Sequence, residues 1–214
     1  VTWEEWTLLL AGAFLVAGWG AWVEASRLDR LHRKVAASLA VLDRQLLRRA
    51  TVAVELASAG VMDPVSSVLV GEAAFAALEV NALGMDVVTP EIADLAALVR
   101  AGGGAPPASR GRAESELSAT VRTALEDPAE VAIVREEPGG AELVDALIAA
   151  WYRVQLARRF HNEAVAQTQR VRRKAGIRLL RIAGRAPVPQ TLEFDDAWPA
   201  ALGRPGAAGQ SPAV

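Results

Sequence analysis

The sequence predicts an all-α protein: an N-terminal transmembrane helix followed by an antiparallel helical bundle of three to four main helices. Three observations predict it. Residues 6–23 form one uncharged apolar run, later apolar residues recur in steps of three and four, and no stretch alternates for long enough to compete as a strand. Of the 214 residues 52% are hydrophobic but only 5% aromatic, so the apolar mass is mainly Ala, Val and Leu, residues suited to close helix packing.

The run WTLLLAGAFLVAGWGAWV, Trp6 to Val23, covers roughly 27 Å as a helix, just enough to cross a bilayer. Trp3 and Trp6 stand at one end and Trp19 and Trp22 at the other, where amphipathic indoles prefer the headgroup level. Glu4 and Glu5 precede the run, whereas Arg27, Arg30, Arg33 and Lys34 follow it, so the positive-inside rule puts the C-terminal side in the cytoplasm. The competing reading is a cleaved signal peptide, with Val23 and Ala25 as a small-x-small site. It lacks the basic leading region of such peptides. Arginine supplies 21 of the 23 basic residues, which with heavy Ala and Gly use suggests a GC-rich bacterial coding bias and hence an inner membrane.

Beyond the span, Leu28, Leu31, Val35, Leu39, Leu42 and Leu46 draw one stripe along a helix expected from about Glu24 to Ala59, closing at Gly60. Asp63-Pro64 offers an N-cap and a first-turn proline for a helix to Gly84, and Thr89-Pro90-Glu91 opens a shorter one ending near Arg100. Residues 101–112, AGGGAPPASRGR, read as a flexible loop. A helix over 113–126 then breaks at Asp127-Pro128, with a short continuation to Arg135 and a turn at Glu137 to Gly140. In the last long helix Leu143, Leu147, Ala150, Val154, Ala157, His161, Ala164, Thr168 and Val171 form a coiled-coil-like a/d seam whose alanines admit a close neighbour. The expected organisation is a short extracytoplasmic segment at 1–5, the span at 6–23, the bundle at 24–185 and a Pro/Gly-rich, largely disordered tail at 186–214.

Two patches carry a family resemblance. Leu42 to Arg49, LDRQLLRR, and Ala157 to Val165, ARRFHNEAV, resemble the first-helix and final-helix signatures of the LemA family of bacterial single-pass membrane proteins. The residues concerned are Asp43, Arg48 and Arg49 in the first patch and Arg158, Arg159, Phe160, His161 and Asn162 in the second. His161 and Gln169 stand where the family usually has tyrosine and asparagine, and the Leu-Ile-Pro-Asn-Leu run after the first patch is absent. The resemblance implies an N-terminal anchor, a short outside terminus and a cytoplasmic helical bundle; it implies no defined activity.

A net charge of −2 conceals strong separation: residues 24–50 carry +4, residues 51–149 carry −11 and residues 150–185 carry +9. If the last helix returns toward the span, Arg170, Arg172, Arg173, Lys174, Arg178, Arg181 and Arg185 come down beside Arg27, Arg30, Arg33 and Lys34. Each cation near an anionic leaflet contributes on the order of 1 kcal/mol. The alternative is that these side chains pair with the acidic middle helices or solvate a surface. Nucleic acid is not expected as a partner, because only Trp151, Tyr152 and Phe160 are near enough to stack bases.

Catalytic and metal chemistry find little to work with. With no cysteine there is no disulfide, thiolate zinc site or cysteine nucleophile, and two histidines and one tyrosine leave few acid–base groups. Asp29-x-x-His32 has the spacing of a helical di-iron half-site, but Arg158 stands three before His161, so the second half is missing. Phosphate-binding, HExxH and G-x-S-x-G motifs are absent. His161 is expected as a hydrogen-bonded core imidazole, with a pH-sensitive or ligand-contacting role as the alternative, and Asp43 as a salt-bridge partner of Arg158 or Arg159, with a ligand site beside Arg44, Arg48 and Arg49 as the alternative. The expectation is therefore a non-enzymatic, cofactor-free interaction or scaffold module at the cytoplasmic face of the inner membrane, with anionic lipid and an unidentified protein as partners. The second is a membrane-tethered ligand or stress sensor with a cavity between the long helices near His161.

Overall fold

A computed structural model describes residues 2–84, 107–179, 184 and 187–204. It is all-α, with six helices and no strand among the described residues: α1 (Trp3–Ser58), α2 (Pro64–Gly84), α3 (Pro107–Ala124), α4 (Pro128–Glu136), α5 (Gly140–Arg172) and α6 (Ala175–Leu179), then a 3-10 turn at Ala200–Leu202. The chain divides into two compact units, Val1–Leu39 with Phe160–Thr191 and Ala40–Arg159 with Leu192–Val214.

The apolar run and the helix expected after it are one continuous helix, α1. Nothing between Gly20 and Gly60 breaks it, since that stretch has neither glycine nor proline. Its first part is long and apolar enough to cross a membrane, and none of that window is buried by the rest of the chain. Farther along, within the first unit, Leu28 and Leu31 of α1 pack with Val171 of α5 and Ile177 of α6. Leu39, assigned to the same stripe, is exposed.

The second unit has an alanine-rich core. Ala50, Val52, Ala53 and Leu56 of α1 meet Val70, Ala73, Ala74 and Ala77 of α2, Leu117 and Val121 of α3, Leu125 just beyond α3, Val131 and Val134 of α4, and Val144, Leu147 and Trp151 of α5. Short side chains let helix backbones approach closely, and burying each Leu or Val stabilises by about 1.5–3 kcal/mol. Helix starts follow the capping rules: Asp63 accepts from the amides of Val65 and Ser66, and Asp127 from Ala129, each just before a proline whose missing N–H costs nothing there. Gly140 begins α5 where an added Cβ would collide with the Val134 carbonyl, so only glycine lets α4 turn so tightly into α5.

Two expectations are corrected. Residues 107–112, assigned to a flexible loop, are the first turns of α3, because Pro107 sits at the helix start, where it is tolerated, and Gly111 is needed for packing and not for flexibility. A Cβ on Gly111 would lie 2.5 Å from the Glu193 carbonyl oxygen. Residues 187–204, assigned to a disordered tail, are an extended strap with Leu192, Phe194 and Leu202 buried. Proline-rich chain without helix can still pack when apolar side chains are interspersed and its carbonyls find donors; here Pro187 accepts from Arg172 and Pro189 from Gln169. The short helix expected from Thr89 to Arg100, loop residues 101–106 and tail residues 205–214 lie outside the described residues.

Candidate functional site

In the first unit, the two basic blocks lie side by side. Lys174 pairs with Glu24 of α1 at 3.6 Å, Lys34 donates to Gln167 at 3.4 Å, and Arg172 donates to His32 Nε2 at 3.1 Å. Arg27, Arg30, Arg33, Lys34, Arg170, Arg173, Lys174 and Arg178 are exposed and Arg172 is half-buried, while Arg181 and Arg185 lie outside the described residues. Arg33 forms an i,i+4 pair with Asp29 at 2.7 Å. That pair uses the carboxylate of the Asp29-x-x-His32 spacing, and His32 is bound to Arg172 instead. On the apolar stretch, all four tryptophans are exposed, and Trp19 and Trp22 contact each other with ring centroids 5.4 Å apart.

An arginine can only donate, so His32 must present a bare Nε2 to Arg172 and carry its proton on Nδ1. Burial holds the His32 pKa below its ordinary 6.5, the Arg172 charge adds to the effect, and Asp29 opposes it. His161, on the seam of α5, is 2% exposed, and its Nδ1 lies 3.1 Å from Ser38 Oγ. Ser38 gives its one proton to the Val35 carbonyl, which leaves its oxygen to accept from His161 Nδ1–H. The ring is therefore packed and bonded within the helix pair.

The second unit holds a polar cluster in its interior. Arg49 and Glu114 are fully buried and paired at 2.5 Å; Arg49 also donates to Ser118 Oγ at 3.0 Å. Asn81 donates to the other Glu114 oxygen and accepts from Arg110 Nε, and Arg110 reaches Asp43 at 2.7 Å. The Arg49 guanidinium lies 4.9 Å from the Trp151 ring centroid and 5.8 Å from that of Phe194. Two cations and two carboxylates thus alternate along one chain of bonds. Their charges balance, and their bonds join α1, α2 and α3, so the cluster fixes how these helices register.

Asp43 was expected to pair with Arg158 or Arg159; it pairs with Arg110 of α3. Arg158 instead grips the strap, bonding Asp196 through Nε at 2.9 Å and Nη2 at 2.7 Å, while Trp151 and Gln155 donate to the Asp196 carbonyl. Arg122 holds Asp195 from α3, and their hydrogen bond lowers the Asp195 pKa and raises that of Arg122. The other patch residues are peripheral: Arg48 pairs loosely with Glu55, Arg159 and Phe160 are exposed, and Asn162 is half-buried. The sequence reading missed Glu114, Asn81, Arg110, Asp195 and Asp196.

Two grooves are lined by residues of the second unit. One of about 530 Å³ runs between α2 and α3, and a smaller one of about 150 Å³ is lined by Val61, Met62 and α4 residues. In comparisons with known proteins, no family model, no curated protein and no solved structure matches the chain.

Proposed function

We propose that this protein is a membrane-anchored interaction module: the first part of α1 crosses the inner membrane with its N-terminus outside, and the helical bundle works at the cytoplasmic face. The observation that carries the reading is the apolar stretch of α1, unburied by the rest of the chain and followed within the same unit by a two-helix basic band. An apolar surface of that size on a helix needs lipid or protein around it. The band from Arg27 to Lys34 and from Arg170 to Arg178 then meets anionic headgroups, each cation adding on the order of 1 kcal/mol. The resemblance of the two patches to LemA proteins implies the same build. An interaction role suits what the interior contains, a charge-balanced cluster that rigidifies the bundle rather than a reacting site.

The test is thiol labelling, which the absence of native cysteine makes clean. A cysteine at Thr2 should react with an impermeant maleimide in intact cells, and one at Ala129 should react only after lysis. Reversed labelling, or recovery of a mature chain lacking residues 1–25, refutes the reading.

A further inference from the structure

Helix α2 is apolar on nearly every side: across Pro64–Gly84 its charged residues are Glu72 and Glu79 alone. One face, Val70, Ala73, Ala74 and Ala77, is buried in the core. On the other, Val65, Val68, Leu69 and Phe75 are each more than half exposed. A helix apolar all round belongs between two neighbours, and among the described residues only one face of α2 is covered. Beside this face lies the groove of about 530 Å³ between α2 and α3, lined by Leu69, Ala73, Ala76 and Ala119 together with Glu72 and Glu116. Its alanines allow another helix to approach closely, and the two carboxylates select a basic one.

The same compact unit carries a ridge of matching character. On the outer side of α5, Tyr152 and Leu156 are 47% and 40% exposed, one turn apart. Arg153 and Arg159 flank them, also exposed, each three positions from Leu156. An apolar ridge bordered by arginines complements an apolar groove lined in part by glutamates in shape, polarity and charge.

We propose that the α2–α3 groove binds the outer face of α5 from a second copy of this chain. The association is heterologous, groove to ridge, so each copy keeps one groove and one ridge free, and assembly proceeds to a ring or an open row. This deepens the interaction reading by naming the partner, and rests on it.

The experiment uses two full-length single-cysteine chains, Ala76→Cys and Leu156→Cys, co-expressed with tags of different size and treated in membranes with a short bis-maleimide. Both positions are exposed, so neither substitution disturbs the core. The expected product is the mixed 76–156 adduct; homotypic adducts alone, or none, overturn the proposal. Glu72→Arg with Glu116→Arg in the Ala76→Cys chain should lower the mixed adduct about tenfold or more, since like charges then face each other. Arg153→Glu with Arg159→Glu in the Leu156→Cys chain should restore it. Yields indifferent to charge reversal, or not restored by the swap, overturn the proposal. Fractionation beforehand reads the anchor separately: a chain found in the soluble fraction refutes anchoring, and the 76–156 adduct still decides self-association there.

Discussion

Replacing Glu114 by leucine removes the carboxylate that balances Arg49. Both side chains are fully buried, so the arginine cannot turn to water, and its Nε has no hydrogen-bond partner among the described residues. What remains for it is Ser118 Oγ at 3.0 Å, the Glu114 backbone carbonyl at 3.2 Å, which survives the substitution, and the Trp151 face at 4.9 Å. Breaking a buried ion pair from one side costs about 3–5 kcal/mol. Glu114 also accepts from Asn81, whose orphaned amide adds about 1–3 kcal/mol, so the total is about 4 kcal/mol or more. At roughly 2–4 °C per kcal/mol for a chain of this size, the melting temperature should fall by at least about 8–16 °C. Adding Arg49→Met removes the stranded charge and should recover everything except the Asn81 share, leaving the double variant about 1–3 kcal/mol below wild type. The assay is thermal and urea unfolding of the full chain in detergent, followed by far-ultraviolet circular dichroism. A double variant no more stable than Glu114→Leu alone would show that the two groups do not act as a pair and sink the argument.

Three further outcomes are expected. Gly111→Ala pushes a Cβ against the Glu193 carbonyl and should loosen the strap at a cost of about 1–3 kcal/mol, seen as faster proteolysis within residues 187–204; unchanged cleavage and melting contradict the crossing. His161→Ala leaves a cavity and takes from Ser38 Oγ the donor it accepts from, costing about 2–4 kcal/mol, and a melt within a degree of wild type rules out the burial. His32 should titrate by NMR below 6.5, and Arg172→Gln should move it upward. Because its folded value is depressed, its stabilising contribution is full above 6.5 and is lost as pH falls through the folded value, so a titration above 6.5 refutes the contact.

Local signals in the chain reach far into this fold. The helix starts at Asp63-Pro64 and Asp127-Pro128 are set by side chains that bond the next turn's amides, and the apolar stretch of α1 is a matter of composition. The seam of α5 is equally local, since its positions from Leu147 through Val171 are buried as their spacing predicts. Continuing the α1 stripe by the same steps past Leu46 reaches Arg49, Ala53 and Leu56, and the α3 stripe of Leu117 and Val121 runs back to Glu114, so both buried charges stood on legible core faces. Periodicity marks a face as buried but carries no partner: Arg49 and Glu114 are 65 positions apart, and only folding brings them together. The same holds for Asp43, which meets Arg110 where a salt bridge to Arg158 or Arg159 of the last long helix is expected, and for the strap. Prolines exclude residues 187–204 from helix, yet whether such a chain is held is decided by Arg122, Arg158 and Trp151 on helices that local sequence does not place beside it. Helix identity rests on interactions within about one turn and is written in neighbouring residues; the pairing of charges and the docking of extended chain depend on contacts between distant segments, and those exist only in the tertiary structure.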